Sequence, residues 1–109
     1  MATLSVQIVV LGGLTPSYGA AAGGGDEFLN SGREFIHAKN GAGVSQTVTV
    51  NSQVACNQGA DHDAAVAIPA GQERMIGPFP KNRFDDANGK VQITYSAVAS
   101  LTVAVVRVP

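Results

Sequence analysis

The sequence predicts an all-β chain: a single-domain β-sandwich or jelly roll of about eight short antiparallel strands, with a long Gly/Ala-rich loop near its N-terminus. Three observations carry that prediction. Short runs rich in Val, Ile and Thr alternate at period two; Gly, Pro and Asn-Gly punctuate them every few residues; and no convincing helical period appears. With 109 residues the chain supports one hydrophobic core, so residues 1–109 are expected to form one domain.

The first run, Leu4 to Leu11, places Leu4, Val6, Ile8 and Val10 on one side, as a strand with one buried face does. Gly12-Gly13 ends it. Residues 14–25 read LTPSYGAAAGGG, without period, and are expected to be an extended loop or arm that reaches a neighbour. Phe28-Leu29 forms a short apolar piece, and a strand follows over Arg33 to Lys39. Asn40-Gly41-Ala42-Gly43 reads as a hairpin loop into Val44–Val50, where Val44, Val48 and Val50 share a face and Gln46 is the exception.

A short strand is expected near Gln53–Cys56, then a polar loop through Asp61-His62-Asp63, then a strand from Ala64 to Ile68. Pro69-Ala70-Gly71 predicts a turn, with Pro69 at the first central position and Gly71 taking the strained one. Glu73 to Phe79 reads as an edge strand, because Pro78 has no N–H to donate to a ladder. Lys81 to Gly89 is a charged loop. A single helical turn fits at Ala20–Ala22 or Arg83–Ala87. Lys90–Tyr95 alternates with Val91, Ile93 and Tyr95 together. In the last run, Leu101, Val103 and Val105 share one face and Val98, Thr102, Val106 and Val108 the other. Both are largely apolar, as in a central strand or one covered by a partner.

Composition narrows the function classes. Charged residues make up 14% of the chain, against roughly 25% in an ordinary soluble domain, so part of the surface is expected to be covered by neighbours. The net charge is −1 and no basic run occurs, which argues against nucleic acid as a partner. No apolar stretch approaches the roughly 18 residues of a membrane-spanning helix, and the Met1-Ala-Thr-Leu-Ser start lacks the basic region of a signal peptide. A membrane partner is therefore not expected. Cys56 stands alone, which precludes an internal disulfide and suits small packing filler.

Each motif that carries chemistry fails at a named position. Asp61-His62-Asp63 offers oxygen ligands but no third or fourth partner at a recognisable spacing. If Gly89 took the glycine position of a calcium loop, Phe84 and Tyr95 would stand where the terminal acidic ligands belong, so Asp85–Gly89 reads as a turn. His37 and His62 lie in distant segments, and Cys56 has neither base nor electropositive neighbour. The serines make no Gly-x-Ser-x-Gly elbow; Gly41-Ala-Gly43 and Gly89-Lys90 lack the rest of a phosphate loop. A non-enzymatic chain without cofactor or metal is the expectation. Arg33, Arg74 and Arg83 are solvated or pair internally with Glu34 or Glu73, or else meet carboxylates on a partner. A carbohydrate-binding jelly roll is weakly served, because there is no Trp and there are only two Tyr.

The stretch Gly32-Arg-Glu-Phe-Ile-His-Ala-Lys-Asn-Gly41, then Thr47-Val-Thr-Val50, Ile68-Pro-Ala-Gly71 and Ile76-Gly-Pro-Phe79, resembles small tailed-phage virion proteins of the capsid decoration, or cement, type. The likeness runs from about Leu14 to Val108 and consists of turn and core signatures. It implies a structural subunit that binds the outside of a phage head, with the major capsid protein and copies of itself as partners. A ring-forming neck or tail protein is the alternative in the same particle. On this reading the arm and chain ends make the contacts, with Tyr18, Phe28, Arg33, Arg83, Val106 and Val108 as candidate contact residues. The protein would be made in the host cytoplasm and reside on the virion surface.

Overall fold

The computed structural model describes residues 2–53 and 63–109, so Cys56, Asp61 and His62, and the strand expected near Gln53–Cys56, lie outside the described residues. Ten strands and one helical turn follow in order: β1 Ala2–Thr3, β2 Val6–Ile8, β3 Gly19–Ala20, β4 Asp26–Leu29, β5 Glu34–Asn40, β6 Gln46–Val50, β7 Ala64–Ile68, β8 Glu73–Ile76, α1 Lys81–Phe84, β9 Lys90–Tyr95 and β10 Leu101–Arg107. They build two sheets. One is ordered β1-β4-β9-β6-β7; the other is ordered β2-β10-β5-β8, with β3 also pairing β10. All pairings are antiparallel except β1 with β4 and β2 with β10, so both sheets are mixed where eight antiparallel strands were expected.

The alternation read from the sequence places the core between the sheets. Phe28, Val48, Val50, Ile68, Val91 and Ile93 project from one; Ile36, Ala38, Leu101, Val103 and Val105 project from the other. Burying a side chain of this size contributes about 1.5–3 kcal/mol each against the entropy of ordering the chain. Phe79 packs against Phe28 with the rings tilted and meets Phe84 edge-on, its ring centroid 6.0 and 5.4 Å away respectively, which closes one margin of the core. Phe84 is the buried residue of α1. The helical turn therefore sits two residues earlier than the Arg83–Ala87 position allowed for it.

β10 is the central strand its two apolar faces predict. It pairs β5 along its whole length, from Leu101 opposite Asn40 to Arg107 opposite Glu34. Its other edge is shared: β3 takes Thr102 and Val103, and β2 takes Val105 to Arg107. Its outward face, Ala104 and Val106, is also buried, because the chain between β2 and β3 crosses over it.

Four expectations are corrected. The Asn40–Gly43 loop is not a hairpin, since β5 and β6 lie in different sheets. The Asn40 side chain pins the crossover instead: Nδ2 donates to the carbonyls of Val44 and Ile68 at 2.9 Å each, and Oδ1 accepts from the Ala42 N–H. The Gly/Ala-rich segment is not a free arm, because Gly19–Ala20 join the sheet and Ala21 is buried. The first strand stops at Ile8, and Val10 is exposed where burial was expected, since the chain leaves the sheet after Val9 donates to the Arg107 carbonyl. In the Pro69–Gln72 turn the Gln72 N–H reaches the Pro69 carbonyl, so Pro69 is the first residue and Gly71, with φ +73°, is the second central one.

Candidate functional site

The outward face of the β2-β10-β5-β8 sheet brings a polar cluster beside an apolar groove. On β5 the outward residues are Phe35, His37 and Lys39. His37 stands between Met75 of β8 and Ala104 of β10 in the register. Tyr18 descends from the segment crossing this face, and its hydroxyl lies 2.6 Å from His37 Nδ1; His37 Nε2 lies 2.9 Å from Glu73 Oε1. Lys39 Nζ sits 4.0 Å above the Tyr18 ring, a cation–π contact on the same residue.

The order Tyr–His–Glu suggests a proton relay, yet its connections are closed. A neutral imidazole that donates from Nε2 to the Glu73 carboxylate has Nδ1 left as an acceptor, and the Tyr18 O–H occupies it. No ring nitrogen remains for a substrate or a metal. The chain of bonds acts as a clasp that holds residues 17–20 against the sheet. A second clasp lies beside it: Gln7 Nε2 donates to the Ser17 carbonyl and Gln7 Oε1 accepts from the Ser17 N–H, at 2.9 and 2.8 Å. Between these two clasps a recess of about 460 Å³ is lined by Thr3, Ser5, Tyr18 and Val103. Thr3 Oγ1 is bonded to Glu27, so the hydroxyls at this recess are partly spent within the fold.

Below the clasp, toward the end of β2, lies an apolar groove of about 220 Å³ whose walls include Val9, Val10, Leu14, Pro16, Phe35 and Met75. His37 forms part of its floor. Leu11, at the tip of the adjoining turn, is fully exposed.

The predicted contact residues divide by burial. Arg33, Arg83 and Val108 are exposed. Arg83 stacks its guanidinium over Phe84 at 4.8 Å. Tyr18 is half-buried and spent on His37. Phe28 is fully buried and Val106 nearly so, so both serve packing: Phe28 faces the opposite sheet and Val106 lies beneath the crossing segment. The Glu73 carboxylate expected to pair with an arginine has another partner. Glu73 goes to His37, and Arg74 donates to the Glu73 carbonyl.

Glu34 is buried, and Ser31 and Arg33 serve it through the Ser31 N–H and hydroxyl and the Arg33 N–H. Burial pushes its carboxyl up, but these hydrogen bonds outweigh that and leave it below the ordinary value. Tyr95 is driven well above the usual phenol range by burial, reinforced by its 2.6 Å bond to the buried Asp26 carboxylate. Asp63, the described member of Asp61-His62-Asp63, accepts the Ser52 N–H at 2.7 Å. Among the described residues no three His, Cys, Asp or Glu side chains converge to hold a metal.

The clasp had no signal in the sequence, because Tyr18, His37 and Glu73 come from three separate segments brought together only by the pairings of β3 with β10, β10 with β5 and β5 with β8. No family model, curated protein or solved structure matches the chain.

Proposed function

We propose that this chain is a structural virion subunit, a capsid decoration or cement protein that binds the outside of a phage head and stabilises the shell through added interface area. The observation that carries the reading is the surface. Leu11, Leu29, Val44, Met75, Val10 and Val108 each expose half or more of their area on a chain with only 14% charged residues. A free monomer gains nothing from so apolar a surface, whereas a subunit seated among neighbours buries it. The resemblance of Gly32–Gly41, Thr47–Val50, Ile68–Gly71 and Ile76–Phe79 to small tailed-phage virion proteins supports the same role. The major capsid protein and further copies of the chain are the partners it implies.

The test is a cryo-EM reconstruction of a particle whose phage encodes the chain. Density for this sandwich at hundreds of lattice positions on the head is expected. About a dozen copies at a neck or tail ring would replace the decoration role with the ring-forming one, and absence from the particle would end the virion reading.

A further inference from the structure

We infer that the apolar groove on the outward face is a contact for a second copy of this chain, with Leu11 of each copy seated in the groove of the other. The inference deepens the self-contact just proposed and rests on that reading. Three observations lead to it. The turn from Val10 to Gly13, closed by the Gly13 N–H on the Val10 carbonyl at 3.0 Å, sets Leu11 at a central position. There it is 111% exposed, so none of the described residues shields its side chain. The groove beside it, about 220 Å³, has room for a leucine side chain and is walled by Val10, Leu14, Pro16, Phe35 and Met75.

The area is also suitable. Leu11, Met75, Val10 and Val9 together expose on the order of 500 Å², toward the upper end of the roughly 300–600 Å² of a monomer's largest apolar patch and over half of the roughly 800 Å² per partner that a stable interface buries. Knob and groove adjoin on one face, so the surface is complementary to itself. A two-fold axis beside the turn lets both knobs be filled at once and closes the assembly as a dimer. Glu73 of β8 and Lys39 of β5, of opposite charge, are register partners on this face, so two copies bring no net like charge together.

The experiment uses the purified full chain in sedimentation velocity across a micromolar concentration series, beside Leu11→Asp. The wild type is expected to form a concentration-dependent dimer. Leu11→Asp should raise the dimer Kd roughly a hundredfold or more, since a two-fold contact loses the same burial twice. Its thermal unfolding should match wild type at monomeric concentrations, because none of the described residues shields the Leu11 side chain. In a Cys56→Ser background, Leu11→Cys combined with Met75→Cys should give a disulfide-linked dimer on oxidation, and neither single variant should link Leu11 to Met75. A wild type that stays monomeric, a Leu11→Asp dimer of unchanged Kd, or no cross-link would each overturn the contact. Shell binding is scored separately. A dimer that never binds shells overturns the cement reading and leaves the contact standing, whereas a chain that coats shells yet sediments as a monomer overturns the contact alone.

Discussion

Replacing Asn40 with Asp tests whether one amide joins the two sheets. The substitution keeps shape and volume, and Oδ1 can still accept from the Ala42 N–H. What changes is Nδ2, which becomes an oxygen facing the carbonyls of Val44 and Ile68 at 2.9 Å, in a side chain that is 2% exposed overall. Asn40→Ala removes the bonds from Nδ2 to the carbonyls of Val44, Ile68 and, at 3.4 Å, Pro69, and the bond from the Ala42 N–H, for a loss of about 3–4 kcal/mol at about 1 kcal/mol each net. Asn40→Asp should cost at least as much at pH 7, because a carboxylate is held against two carbonyls without a donor.

Protonating that carboxyl restores one donor. The new group favours its neutral form in the fold, so its folded pKa lies above its unfolded one. Its penalty is then absent below the unfolded pKa and grows as pH rises through the folded one. Urea unfolding followed by circular dichroism measures this. With a slope of roughly 1.5 kcal/mol per molar for a domain of this size, Asn40→Ala should lower the midpoint by about 2 M, and Asn40→Asp should equal or exceed that at pH 7 and recover part of it at pH 5. An Asn40→Asp protein as stable as wild type at pH 7 would refute the role given to this amide.

Four further outcomes follow from the geometry. Phe28→Ala should lose about 3–5 kcal/mol and tens of degrees in Tm by calorimetry, since the ring is fully buried against Phe79; a loss below 1 kcal/mol would show that it is not a core residue. Gly25→Ala should be strongly destabilising in the same assay, because φ is +94° and an added Cβ would lie 2.5 Å from the Ile93 carbonyl oxygen; an unchanged Tm would contradict that close approach. Tyr18→Phe keeps the ring under Lys39 but removes the hydroxyl from His37, so amide exchange of residues 17–20 should accelerate roughly tenfold while global unfolding shifts by about 1 kcal/mol or less. Glu27 is held below the usual carboxylate range by hydrogen bonds from Gln92, Lys90 and Thr3, Asp86 by the Lys90 N–H first of all, and Glu34 by Ser31 and Arg33 against its burial. Their stabilisation is full above about pH 4.5 and is lost as pH falls through the depressed values, so Tm should drop between pH 5 and pH 3; a flat profile there would count against those bonds.

The elements that alternate at period two were legible because each has one face on the core. Lys90–Tyr95 with Val91 and Ile93 inward, and Leu101–Arg107 apolar on both sides, stand where the pattern puts them. The pairings were not legible. Asn40-Gly41 carries the local signature of a hairpin, but the Asn40 amide finds buried carbonyls in Val44 and Ile68, and the chain passes between sheets instead of folding back. The segment LTPSYGAAAGGG has no period because it lies across a sheet instead of within one; only Gly19–Ala20 borrow a ladder from β10. Excising Tyr18–Gly25, expected to be harmless to the fold if they were a free arm, would instead remove the clasp on His37 and the buried Ala21. At the groove, Val10 and Leu11 look like the end of an apolar strand, and nothing local marks the point after Ile8 where the chain turns away from the sheet.

The last strand is also the one on which two of the earliest, β2 and β3, depend. β2, β3 and β5 all pair with β10, so two segments in the opening twenty residues have no ladder until residues 101–107 exist. On a ribosome the chain emerges with its beginning unpaired, and the sheet can close only once its end has been made. Pairings this distant in sequence belong to domains that refold in milliseconds to seconds. During that interval the apolar run from Val6 to Leu11 is open to other chains, so yield should depend on how dilute the nascent protein is kept.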